Sequence, residues 1–221
     1  MQFSNTQLFH GIAEEELAPL FKCLRAFQKS YHKGDTILRE GEPTACLGIV
    51  LSGMAVISRS DVWGNNSILG NAAPGAVFAE AYACLPGEPL QISVSAAEDT
   101  TVLFLNVEKV LTTCTNACVF HTKLIRNLLT VCAQKSLGLS RRILYASPKT
   151  IRGRLLSYFS DCVKRAGSDS FQIPYSRQQL ADFLGVDRSA MCSELSKMQR
   201  DGLLSYQKNT FTLRAPRPFS L

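Results

Sequence analysis

Four side chains invite a chemical reading first. Arg188, Ser189, Cys192 and Ser193 fall on one side of a helical period in the stretch VDRSAMCSELSKM. An arginine placed there can give two hydrogen bonds to a guanine edge or hold a phosphate, and the hydroxyls can donate or accept. This chemistry recognises a polyanion and breaks no bond. Upstream, Ser176, Arg177 and Gln178 open another helical stretch and suit backbone phosphates, aided by the helix N-terminus. Lys197, Lys208 and Asn209 extend the same set. Any one arginine or lysine is ordinarily a solvated surface charge; their joint occurrence at this spacing is what points to nucleic acid.

A second constellation is Cys114, Cys118 and His121, spaced by four and three residues and so on one helical face. It could hold a metal or form an oxidant-sensitive pair; the simpler alternative, which we prefer, is that it lines a helix seam. The chain has eight cysteines with no CxxC pair, and its three histidines form no HxH. Reduced thiols are expected. No nucleophile–base motif or phosphate loop is visible, so no catalytic residue, metal site or cofactor is assigned and the chain is not expected to be an enzyme.

The recognition residues need elements to position them. In YSRQQLADFLGVDRSAMCSELSKMQRDGLL, Ser176 can cap a helix with Gln179 three residues on, and Leu180, Phe183 and Leu184 face inward. Gly185 permits the positive φ that a sharp helix end requires. Asp187 can cap a second helix whose Met191, Leu195 and Met198 pack inward. Small Ala181 sits where the two helices would touch. Two short helices so joined form a helix-turn-helix, with the second free to enter a major groove. Glu194 breaks the usual apolar preference at its position. Before this unit, Ser147 and Pro148 are expected to open a helix faced by Ile151, Leu155, Tyr158, Phe159 and Cys162 and ended by Gly167. After it, a hairpin turns at Lys208 and Asn209.

Towards the N-terminus the texture differs. Leu17, Leu20, Phe21 and Leu24 give a short helical period behind three glutamates. From Gly34 to about Val107, short apolar runs alternate with glycine-marked turns, which favours an antiparallel barrel or sandwich. From about Thr112 to Leu139 the period is helical again. Cys114, Cys118, His121, Ile125, Leu128, Cys132, Lys135 and Leu139 step by four and three, widened by Leu124 and Val131. A seam of that length predicts pairing with the same helix of a second copy; the alternative is a helix lying across its own barrel.

The 221 residues carry a net charge of +6. Residues 147–221 hold 12 basic and 6 acidic side chains, whereas residues 1–146 hold 12 of each, so the whole excess lies in the C-terminal third. A neutral body with a basic end fits a polyanion at that end. No run of eighteen apolar residues and no secretory signal is seen, so neither membrane insertion nor export is expected, and the cytoplasm is the expected location.

Together, KGDTILREGEP, LGIVLSGMAVIS, APGAVFAEAYAC and LADFLGVDRSAMCSELSKMQRDGLL resemble the Crp–Fnr family of bacterial transcription regulators, in that family's order and over nearly the whole length. The resemblance implies an α+β chain. Residues 1–111 would form an antiparallel, cyclic-nucleotide-binding-like β-roll with an N-terminal helix, 112–146 a long dimerisation helix and hinge, and 147–221 a winged helix-turn-helix. It implies a homodimer on a near-palindromic double-stranded DNA site, RNA polymerase as a further partner, and a small-molecule effector. The expected effector pocket is lined by Phe78, Glu80, Tyr82 and Gln91 of the roll with Leu124 and Leu128 of the long helix. Cyclic-nucleotide members carry Gly-Glu and Arg-Ser pairs; this chain has Ala79-Glu80 and Leu90-Gln91, and a leucine cannot hold a cyclic phosphate. The effector is therefore expected not to be cAMP. Only Cys23 lies where oxygen-sensing members gather cluster cysteines, so an iron–sulfur cluster is not expected. Two other readings compete: a small-molecule-binding or redox-sensing protein that touches no DNA, against which the basic C-terminal end argues, and a cupin-like metal enzyme, against which the scarcity of histidines argues.

Overall fold

The computed structural model describes residues 6–61, 63, 66–112 and 119–214, with the side chain of Val119 left aside. The chain divides into two compact units, Met1–Gln134 and Lys135–Leu221.

The first unit is a β-roll of two four-stranded antiparallel sheets. Its strands are β1 (Phe27–Tyr31), β2 (Thr36–Leu38), β3 (Cys46–Ser52), β4 (Ala55–Ser60), β5 (Asn66–Ala72), β6 (Val77–Phe78), β7 (Ser93–Ala96) and β8 (Thr100–Asn106). One sheet runs β1-β8-β3-β6 and the other β2-β7-β4-β5. The apolar runs LGIV of β3 and VLFL of β8 do not alternate with polar residues because both faces of their sheet are covered. Val102 and Phe104 point between the sheets, towards Phe78, Leu90 and Val94. Leu103 and Leu105 point the other way, under Leu8, Phe9 and helix α1 (Glu14–Cys23). Gly48 of β3 has a packing reason: a Cβ there would enter the ring of Phe78.

After the short helices α2 (Glu80–Ala83) and α3 (Val107–Leu111) comes α4 (Val119–Ala146), 28 residues and roughly 42 Å long. It passes from the first unit into the second. The expected seam is corrected here. His121, Leu124, Leu128 and Val131 are buried against the roll's own outer cluster, so this face of α4 lies across its own barrel. Ile125 and Cys132 are half-buried and Lys135 is exposed. Leu139, the last residue of the expected seam, belongs instead to a stripe that is left uncovered: Leu129, Leu137, Leu139, Ile143 and Leu144 are 57–68% exposed. The sequence period mixed two faces because apolar residues line both. Cys114 and Cys118 lie outside the described residues.

The second unit continues with α5 (Ile151–Ala166), β9 (Ser170–Gln172), α6 (Arg177–Leu184), α7 (Arg188–Arg200), β10 (Leu204–Gln207) and β11 (Thr210–Leu213). The three strands form an antiparallel sheet β10-β11-β9. Helix α5 starts later than expected. Thr150, not Ser147, is its N-cap and accepts from the Gly153 N–H at 3.0 Å, while the Ser147 hydroxyl donates back to the Leu144 carbonyl. Gly167 ends α5 in the left-handed region as expected. The core joins Leu155, Phe159, Leu180, Leu195 and Phe211.

Candidate DNA interface

Helices α6 and α7 are built by local chemistry. Ser176 and Gln179 form a reciprocal capping box: the Gln179 N–H donates to Ser176 Oγ at 3.3 Å and the Ser176 N–H to Gln179 Oε1 at 2.8 Å. Gly185 closes α6 at φ 63°, ψ 47°. Asp187 then caps α7, its carboxylate accepting the Ala190 N–H at 2.8 Å and the Ser189 hydroxyl. Those two donors, the hydroxyl first, hold the Asp187 carboxyl below the usual carboxylate range. Met191, Leu195 and Met198 are fully buried, each worth roughly 1.5–3 kcal/mol of burial. That anchoring turns the opposite face of α7 outward.

On this outer face Arg188, Ser189 and Ser193 are exposed and Cys192 is half-buried. The Arg188 side chain makes no hydrogen bond or ion pair with any described residue. Lys197 is exposed, 3.9 Å from Glu194. At the start of α6, Ser176 and Gln178 are exposed, and Gln178 Nε2 donates to Asp182 at 2.8 Å. Lys208 is exposed at the β10–β11 turn, with φ 51°. Arg177 is engaged differently from its neighbours. Its guanidinium lies 5.1 Å from the Tyr206 ring centre and 4.9 Å from that of Phe211, and Nη2 donates to the Lys208 carbonyl at 2.7 Å. Arg177 therefore fastens the β10–β11 wing to α6.

Two further arginines organise the unit and were not visible in the sequence. Arg154 donates from Nη1 to the Leu184 and Gly185 carbonyls at 3.0 and 2.8 Å, and from Nε to the Pro148 carbonyl at 2.9 Å. It satisfies the orphan carbonyls where α6 ends. Arg152 pairs through Nε with Glu194 at 2.6 Å and through Nη2 with Asp201 at 2.7 Å. This explains the unusual acid at 194: it ties α7 to α5.

In the first unit, Phe78 and Glu80 of the roll and Leu124 and Leu128 of α4 are buried, Tyr82 is half-buried and Gln91 is exposed. Phe78 and Tyr82 belong to the cluster between the sheets, Leu124 and Leu128 to the cluster beneath α1 and α4. Leu90 is 2% exposed, packed into the inter-sheet cluster at the position where the resemblance would require an arginine. His121 is buried with Nε2 3.9 Å from the Cys23 sulfur.

A β-roll, a long helix and a winged helix-turn-helix define a DNA-binding transcription regulator. A family model described as the cyclic nucleotide-binding domain matches residues 28–116, and one described as the Crp-like helix-turn-helix domain matches residues 153–217. The chain belongs to the Crp–Fnr family. Among solved structures, it is similar to the catabolite activator protein of Thermus thermophilus (23% identity, 95% of this chain and 94% of that one, TM-score 0.51). It is also similar to a CooA mutant from Carboxydothermus hydrogenoformans (17%, 95% and 92%, TM-score 0.60). A third is CLP, a c-di-GMP-responsive global regulator of Xanthomonas campestris (18%, 89% and 98%, TM-score 0.56). At these identities the likeness is one of fold. No curated protein sequence matches the chain. Among the described residues, no helix is long and apolar enough to cross a membrane.

Proposed function

We propose that the protein works in the cytoplasm as a homodimer that reads a near-palindromic duplex and acts on RNA polymerase bound nearby. In this reading α7 enters the major groove. Arg188, Ser189, Cys192 and Ser193 meet base edges, while Ser176, Gln178, Lys197 and Lys208 meet phosphates, and Arg177 adds to them chiefly by holding the wing. The observation that carries the proposal is the outer face of α7: an arginine and two hydroxyls, exposed and anchored from behind by three fully buried side chains. The uncovered apolar stripe of α4 supports pairing with a second copy, since a contiguous exposed stripe of this kind marks an interaction surface.

An unidentified small molecule would shift the placement of the DNA-binding units. Buried Leu90 argues against cAMP in that role, because it puts an apolar side chain where the phosphate would need a cation. The test is selection of bound duplexes from a random pool. Enrichment of two inverted half-sites with centres about 34 Å apart is expected. Enrichment of a single asymmetric motif would remove the dimer from the proposal, and no enrichment at all would remove the DNA.

A further inference from the structure

We propose that the second unit carries a binding site of its own for a planar aromatic carboxylate, in an open cavity of about 430 Å³ lined by the last turns of α4, by α5, by β9 and the segment after it, and by α6. All of its lining residues lie between Gly138 and Phe183, so it is separate from any effector site in the roll. The volume falls in the range that holds small organic ligands.

Three features define the guest. First, the wall is aromatic. Tyr145, Tyr158, Tyr175 and Phe183 line it, with ring centres 4.9–6.3 Å apart in stacked, tilted and edge contacts. A further ring can join such a set edge-on or offset. The Tyr145 hydroxyl is already committed to Asp161 at 2.6 Å, so this residue offers its ring. Second, the charge is positive. Arg165 on the wall is held by Asp161 at 2.9 Å, but Arg141 is exposed and pairs with no described acidic side chain. One uncommitted guanidinium beside an aromatic wall suits a monoanion.

Third, the wall has a gap where a side chain would otherwise be. Gly138 lies inside α4, where glycine is the poorest residue after proline. An added Cβ there would meet nothing within 4 Å, so no neighbour demands the glycine. The missing side chain keeps the cavity open. A ligand seated there would bridge the end of α4 to the first helix of the helix-turn-helix and favour one arrangement of the two.

The experiment is titration calorimetry on the full-length, DNA-free protein with 2-naphthoate, and with 2-naphthalenemethanol as its uncharged counterpart. One naphthoate per chain is expected, with the alcohol weaker by about tenfold. Arg141→Gln should weaken naphthoate by about the same factor, and Gly138→Leu, which fills the gap, should abolish binding while melting no lower than the parent. Absence of saturable binding overturns the proposal. So does unchanged affinity in either variant, which would put the naphthoate elsewhere. Because no DNA is present, failure here leaves the DNA-binding proposal untouched.

Discussion

Arg152 on the first turn of α5 donates its Nε to Glu194 in the middle of α7 at 2.6 Å. The same guanidinium reaches Asp201, just past the end of α7, at 2.7 Å. The recognition helix is thus gripped at two points from behind by one side chain, and its tilt against α5 depends on charge as well as on packing. Glu194→Gln is expected to lower the melting temperature of the parent but to have no further effect in an Arg152→Met background. A double-mutant cycle measures this. Additive losses would show that the two residues act independently.

The turn between α6 and α7 depends on Gly185 through its backbone. Its φ of 63° lies in the left-handed region, and the nearest foreign atom to an added Cβ is Arg154 Nη1 at 3.7 Å, an ordinary contact. The cost of Gly185→Ala is therefore conformational, about 1 kcal/mol in a urea melt. Gly185→Asn should cost less, since asparagine tolerates this region better than other side chains. An alanine variant as stable as the parent would mean that the turn relaxes to another geometry.

Leu90 allows the roll to be tested directly. It is buried between the sheets with Val94, Val102 and Phe104, so Leu90→Ala should cost about 2–4 kcal/mol. Leu90→Arg should cost at least as much, because it places a guanidinium in that cluster. The parent is expected to show no saturable cAMP binding at micromolar concentrations by equilibrium dialysis. Saturation there would show that a leucine at this position is compatible with the nucleotide.

The helix-turn-helix was legible in the sequence because its determinants are local. Ser176 with Gln179, Gly185, and Asp187 each act within four residues of their own position, and the spacing of Met191, Leu195 and Met198 fixes the buried face. What could not be read were partners brought together by tertiary structure. Glu194 looked anomalous until Arg152, 42 residues away, was placed against it. Arg177 looked like one of several phosphate contacts, because nothing local shows that Tyr206 and Phe211 come beneath it. On α4 the apolar period predicts a helix from about Thr112 to Leu139 with one seam, whereas α4 is described over Val119–Ala146 and carries two apolar faces. Two apolar faces at neighbouring angles give overlapping spacings, and only the position of the roll separates them. The effector-pocket residues follow from the family resemblance; Phe78 and Tyr82 lie in one core cluster, and Leu124 and Leu128 in another.

The cap of α7 predicts a pH dependence. In the folded protein the Asp187 carboxyl lies below its ordinary value, held there by the Ser189 hydroxyl and the Ala190 N–H. A lowered folded-state value means that the cap's contribution is complete above the ordinary aspartate value, about 3.9, and is lost as pH falls below it through the folded value. Asp187→Asn keeps an acceptor for the Ala190 N–H but cannot titrate. The gap in stability between the parent and this variant should therefore narrow as pH drops from 5 to 3, followed by chemical denaturation at each pH. A constant gap would mean that another group governs the acid limb.

Arg177 and Arg188 should separate by the kind of loss they cause. Arg177 bridges α6 to the wing through two rings and the Lys208 carbonyl, so Arg177→Ala should lower stability by about 1–2 kcal/mol, seen in melting without DNA. It should weaken binding to all duplexes alike, by loosening the wing. Arg188 makes no such contact, so Arg188→Ala should leave the melting curve within about 0.5 kcal/mol of the parent. Its effect should fall on the ratio between the selected site and a scrambled one, by about 1–3 kcal/mol if the guanidinium reads a base. A titration series from 50 to 200 mM salt distinguishes the alternative. If the ratio is unchanged while the salt slope falls by about one, Arg188 is a phosphate anchor, and base reading passes to Ser189 and Ser193.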